Sequence, residues 1–150
     1  MSSPRVLFDT NLYLNYLLSP DPAGSAVEFA LIAAADGTIE LLLPEDVISE
    51  LAATIERRPY LSARITAMDL QALLRRVRSF ATPLPPLDDD PPSLSRDPHD
   101  DYLLALAVHN DVDFLVTRDR DLLTLSSVLR ASIVDPATLV AWLRMRSQQE

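Results

Sequence analysis

Val6-Leu7-Phe8, residues 39–43 (apolar apart from Glu40) and Phe114-Leu115-Val116 are strand-length runs in which apolar side chains follow one another without alternating with polar ones. Successive side chains of a strand point to opposite faces, so an unbroken apolar run must be buried on both. That is the habit of parallel sheets covered by helices on either side. The first run leads into a helical pattern over 12–18. The second leads into a helix that Pro44 opens at its first position, with Glu45 and Asp46 suiting the dipole of the first turn. Strands alternating with helices through short connections predict an α/β fold with a mainly parallel sheet.

The remaining chain continues this order. Residues 23–35 predict a helix stopped by Gly37 in the left-handed conformation, and Pro59 ends the helix that Pro44 began. Residues 62–80 carry one helical stripe, Ile65, Met68, Leu70, Leu73, Leu74 and Val77. The Pro-rich stretch "ATPLPPLDDDPPSLSRDP" reads as an irregular surface loop with one short strand near 84–87, and Asp88, Asp89 and Asp90 are solvated there. A helix over 98–110, a strand over 113–117, a strand over 132–134 and a helix over 136–146 complete the chain. No internal repeat is present, and 150 residues at 48% hydrophobic content form one domain, 1–150.

Composition removes several kinds of chemistry. Without cysteine there is neither a disulfide framework nor a thiolate zinc site, and two histidines cannot build a histidine cage, so any metal must be held by oxygen. All 13 basic residues are Arg; without Lys, and with Gly only at 24 and 37, a phosphate-binding loop is excluded. A net charge of −9 disfavours nonspecific binding to polyanions, although the arginines cluster locally. The absence of an apolar run of about 18 residues or a secretory leader predicts a cytoplasmic protein with no membrane association.

The acids remain. In a parallel sheet, ligands bind beyond the carboxyl ends of the strands. Asp9 directly follows the first strand, Glu50 sits at the edge of the buried stripe of the next helix beside Val47 and Leu51, and Asp119 follows the Phe114 to Val116 run with two residues between. Asp101 shares a helix face with Leu104, Ala105 and Val108, with Asp100 as its alternative one residue away. Asp97 reads as the N-cap of that helix and Asp121 as the cap of a short turn at Leu122-Leu123. Like charges about 4 Å apart repel by roughly 4 kcal/mol at an effective dielectric of about 20, so four converging acids need a counter-charge. Mg²⁺ or Mn²⁺ supplies it and implies metal-assisted hydrolysis.

The segments "VLFDTNLYLNYLLS", "LLLPEDVISELAATIERRPYL", "RDPHDDYLLALA" and "DFLVTRDRDLL", in that order and over most of the chain, resemble a PIN-domain ribonuclease of the kind found as toxins (VapC-like) in bacterial type II toxin–antitoxin pairs. The resemblance implies a three-layer α/β/α sandwich and Mg²⁺- or Mn²⁺-dependent cleavage of single-stranded RNA. It also implies a homodimer and an inhibitory antitoxin partner, with the apolar helices at 12–18 and 23–35 as candidate dimer surface. Position by position, Asp9, Glu50, Asp101 and Asp119 match the four acids, Asn11 the residue that orients the first, and Thr117 the small hydroxyl residue beside the fourth. Arg118 and Arg120 flank Asp119 as candidate substrate contacts. The Asp triplet in the Pro-rich loop and His99, at a position commonly acidic, depart from the pattern. The alternatives are a catalytically silent PIN-like module that binds RNA or protein, and an aspartate-nucleophile phosphatase, which the missing Lys disfavours.

Overall fold

A computed structural model describes residues 3–87 and 98–149. Among these residues six strands form one sheet in the order β3-β2-β1-β4-β6-β5: β1 (Arg5–Phe8), β2 (Glu40–Pro44), β3 (Thr82–Leu84), β4 (Phe114–Val116), β5 (Ser127–Val128) and β6 (Ala131–Val134). The first five in this order run parallel, and β5 closes one edge as a hairpin with β6. At the centre, Leu7 pairs with Leu42 of β2 and Leu115 of β4, all fully buried, as unbroken apolar runs require.

Among the described residues eight α-helices accompany the sheet: α1 (Thr10–Leu18), α2 (Ala26–Ala35), α3 (Glu45–Arg57), α4 (Pro59–Ser62), α5 (Ala67–Arg78), α6 (Pro98–His109), α7 (Arg120–Leu125) and α8 (Pro136–Gln148). Helices α1, α2, α3 and α8 pack among themselves on one face. Helices α6, which precedes β4, and α7, between β4 and β6, contact the β6–β5 end of the sheet, and the whole is an α/β/α sandwich. No helix among the described residues is long and apolar enough to cross a membrane.

Four expectations need correction. The stripe over 62–80 is not one helix: Thr66 and Asp69 form a reciprocal capping box that starts α5 afresh, and Met68, expected on the apolar stripe, is 78% exposed. The short strand is β3, Thr82–Leu84, two residues before its expected start at 84. Pro44 ends β2 and serves as the N-cap position, so α3 begins at Glu45. The helix after β1 begins at Thr10 because Asp9 itself caps it. Gly37 does take the left-handed conformation expected of it, at φ 85°. Asp97 and the triplet 88–90 lie outside the described residues.

Candidate functional site

Parallel pairing of β1 with β4 sets Phe8 opposite Val116, so the next residues along, Asp9 and Thr117, emerge side by side at the carboxyl edge of the sheet. The Asp9 N–H donates to Val116 O at 2.9 Å, which extends the ladder to that edge. The Asp9 side chain is 2% exposed. Its Oδ1 accepts from the Asn11 N–H at 3.4 Å as the α1 cap, and its Oδ2 accepts from Thr117 Oγ1 at 2.8 Å. Thr117 is fully buried, and its hydroxyl also accepts from the Asp119 N–H at 3.0 Å. One hydroxyl therefore ties the acid after β1 to the backbone of the acid after β4.

Asp119, half-buried, is the N-cap of α7 and accepts from the Asp121 N–H at 2.8 Å. The cap expected at Asp121 thus belongs to Asp119, whose own N–H is held by Thr117; Asp121 is an exposed first-turn residue. Arg118 and Arg120 are exposed on either side.

The first turn of α6 brings in Asp100 and Asp101, only 4% and 5% exposed. The helix is buried around much of its girth, at Leu103, Leu104, Leu106 and Ala107, while Val108 is exposed. Both acids therefore face inward. Glu50 on α3 is half-buried, as expected beside buried Val47 and Leu51. Its carboxylate accepts from Thr54 Oγ1 at 3.1 Å and lies 3.8 Å from the Arg57 guanidinium.

Two contacts were missing from the sequence reading. Thr54 stands four residues after Glu50, a helical spacing that could have revealed it. Tyr102, next to Asp101, donates its hydroxyl to Asp46 in the first turn of α3, joining the two acid-bearing helices. Burial first, then Asp46, pushes the Tyr102 phenol up to about 12. No sequence signal links positions 102 and 46.

These acids come from four segments, yet among the described residues no three Asp, Glu or His side chains stand close enough to share one ion. The donor set fits a hard divalent cation that keeps most of its water and takes one or two carboxylates directly. Thr10 Oγ1, on the residue after Asp9, is buried without a hydrogen-bond partner among the described residues. A groove of about 830 Å³, lined by Pro4, Phe114, Trp142 and Met145 among others, contains none of the five acids.

The model of the PIN domain matches residues 5–121, a span that contains all of these acids. The chain belongs to the PIN-domain family. Its fold is also similar to the crystal structure of PAE2754 from Pyrobaculum aerophilum, with a TM-score of 0.52 at 18% identity over 95% of this chain and 90% of that one. No curated protein matches the chain. Within this PIN domain, Asp9, Thr117 and Asp119 form one connected unit, Asp100 and Asp101 a buried pair on α6, and Glu50 a third position on α3.

Proposed function

We propose that this PIN domain is a divalent-metal-dependent endoribonuclease acting on single-stranded RNA, and the toxin of a toxin–antitoxin pair that works as a cytoplasmic homodimer. PIN domains are generally nucleases, which supports hydrolysis of a phosphodiester. The observation that carries the reading is Asp9, a buried carboxylate fixed from the neighbouring strand by Thr117. A buried carboxylate is paired or coordinates a metal, and this one stands at the carboxyl edge of the sheet.

Asp9 and Asp101 would hold Mg²⁺ or Mn²⁺ directly, Glu50 and Asp119 directly or through water, with Asp100 beside Asp101. Such an ion supplies a water of lowered pKa and a counter-charge for the phosphodiester under attack. The chain's own part is orientation: Thr117 aims Asp9, the backbone N–H of residue 11 caps its other oxygen, and the Tyr102 bond to Asp46 fixes α6 against α3. Arg118 and Arg120, exposed beside Asp119, meet the phosphates of the substrate.

A silent RNA- or protein-binding module is the second reading. It is favoured by Glu50 already being engaged by Thr54 and Arg57 and by the lack of three clustered acids among the described residues. Cleavage of a mixed single-stranded RNA pool with Mn²⁺ separates the two. Loss of cleavage with EDTA and in Asp9→Asn and Asp101→Asn supports the nuclease, whereas a wild-type chain that binds RNA and never cuts it supports the module. Growth arrest on induction, relieved by Asp9→Asn, tests the toxin role.

A further inference from the structure

Six of the thirteen arginines fall between residues 57 and 78, accompanied by a single carboxylate, Asp69. The other positions carry seven arginines against twenty-one carboxylates. The chain as a whole repels polyanions, and this stretch is its exception. It forms a helical arm: the last turn of α3, then α4, then α5, which doubles back until Arg78 reaches Glu45 in the first turn of α3 at 3.6 Å. Glu45 directly follows β2, so the end of α5 that carries Arg78 returns to the carboxyl edge of the sheet. Helix α3 itself is roughly 20 Å long at about 1.5 Å per residue.

Three observations separate this surface from an ordinary solvated helix face. First, Arg58, Arg64 and Arg75 are exposed, and among the described residues none of them has a carboxylate partner. Second, Tyr60 is 61% exposed with the Arg64 guanidinium 3.8 Å from its ring centroid, and Arg64 Nη1 donates to Tyr60 O at 3.0 Å. An exposed ring beside unpaired guanidiniums is what a single strand uses, its bases stacking on the ring and its phosphates meeting the cations. Third, Arg57 lies on the same face of α3 as Glu50, two turns on, and reaches that carboxylate at 3.8 Å, which makes the basic surface continuous with the acid rim.

We infer that the α3–α5 arm, through Arg57, Arg58, Arg64, Arg75 and the Tyr60 ring, binds a single-stranded RNA and leads it to the acids. The choice of occupant rests on the ribonuclease reading. An acidic polypeptide would satisfy the charge, but it has no use for the stacking ring.

The test is anisotropy of a labelled mixed-sequence single-stranded RNA with EDTA present, over a salt series, on the full chain. Variants are the triple Arg58→Gln/Arg64→Gln/Arg75→Gln, the corresponding triple Arg→Lys, and Tyr60→Ala, each checked for an unchanged unfolding transition. The triple Gln variant should bind at least about tenfold more weakly. The slope of log affinity against log salt should fall by about 2, at roughly 0.7 per lost phosphate contact on a single strand. The Lys triple should restore both, and Tyr60→Ala should cost about tenfold with its slope unchanged. Unchanged RNA affinity and slope in the Gln triple overturns the inference, as does loss of binding to poly-L-glutamate alone, which would assign the arm to an acidic protein. Arm-dependent RNA binding by a wild type that never cleaves with Mn²⁺ leaves the arm standing and rejects the nuclease reading.

Discussion

Thr117→Val removes one oxygen and leaves the shape of the side chain intact. The lost hydroxyl donates to Asp9 Oδ2 at 2.8 Å in a buried setting and accepts from the Asp119 N–H at 3.0 Å in a part-buried one. A hydrogen bond to a charged group contributes about 1.5–3 kcal/mol and a neutral one about 1 kcal/mol, so the substitution should cost about 2–4 kcal/mol. In a chain of 150 residues, each kcal/mol moves Tm by about 2–4 °C, giving a fall of roughly 5–15 °C. Thr117→Ser keeps the oxygen and loses one buried methyl, at about 1 kcal/mol. Urea unfolding without metal measures both, and a cycle with Asp9→Ala should return a coupling above about 1 kcal/mol. With metal present, misorienting Asp9 should weaken Mn²⁺ binding by about 10–100-fold in the Val variant and much less in the Ser variant. A Val variant as stable as wild type, or a Ser variant as costly as Val, would refute the claim that this hydroxyl orients the acid.

Other outcomes follow from the same contacts. Asp119→Ala should lose about 1 kcal/mol of stability as well as activity, because it uncaps α7, whereas Asp119→Asn should lose activity while keeping the cap; denaturation and RNA cleavage assays distinguish the two. Asp121→Ala, exposed and carrying no cap, should change stability by less than about 0.5 kcal/mol and leave cleavage intact. Hydrogen bonds from Thr138, side chain and backbone, hold the Asp135 carboxyl below its usual value. A depressed folded pKa contributes stability that is complete above the unfolded value near 3.9 and is lost as pH falls through the folded one. Asp135→Ala should therefore be closest to wild type at the acid end of a stability profile. The raised Tyr102 phenol acts at the other end: its contribution is present below about 10 and lost as pH rises toward about 12, so Tyr102→Phe should flatten that alkaline limb.

The parts of the fold legible in the sequence are those with a strong local pattern. The central strands announced themselves as unbroken apolar runs, and Asp9 at the end of one could be placed on the rim before any contact was known. The β5–β6 hairpin could not. Its first strand is two residues long, and Ser126 and Leu129 take positive φ values of 59° and 49° at positions where the usual marker would be Gly or Asn. The break between α4 and α5 was hidden because Ile65 and Met68 continue a helical spacing across it, although the Thr66–Asp69 pair carried the opposite signal. Asp100 and Asp101 could not be ranked from periodicity, because α6 is buried around most of its circumference rather than along one stripe. The Tyr102 to Asp46 bond joins helices far apart in sequence and leaves no local trace.

The central claim is that the buried acid rim around Asp9 is an ion site. Calorimetric titration of Mn²⁺ into the full chain and into Asp9→Asn tests it most directly, because Asn can keep the α1 cap and the fold while removing the charge. The account expects saturable binding by the wild type and none by Asp9→Asn at matched thermal stability. Absence of Mn²⁺ binding by the wild type with single-stranded RNA present, or equal binding by the two proteins, would contradict it.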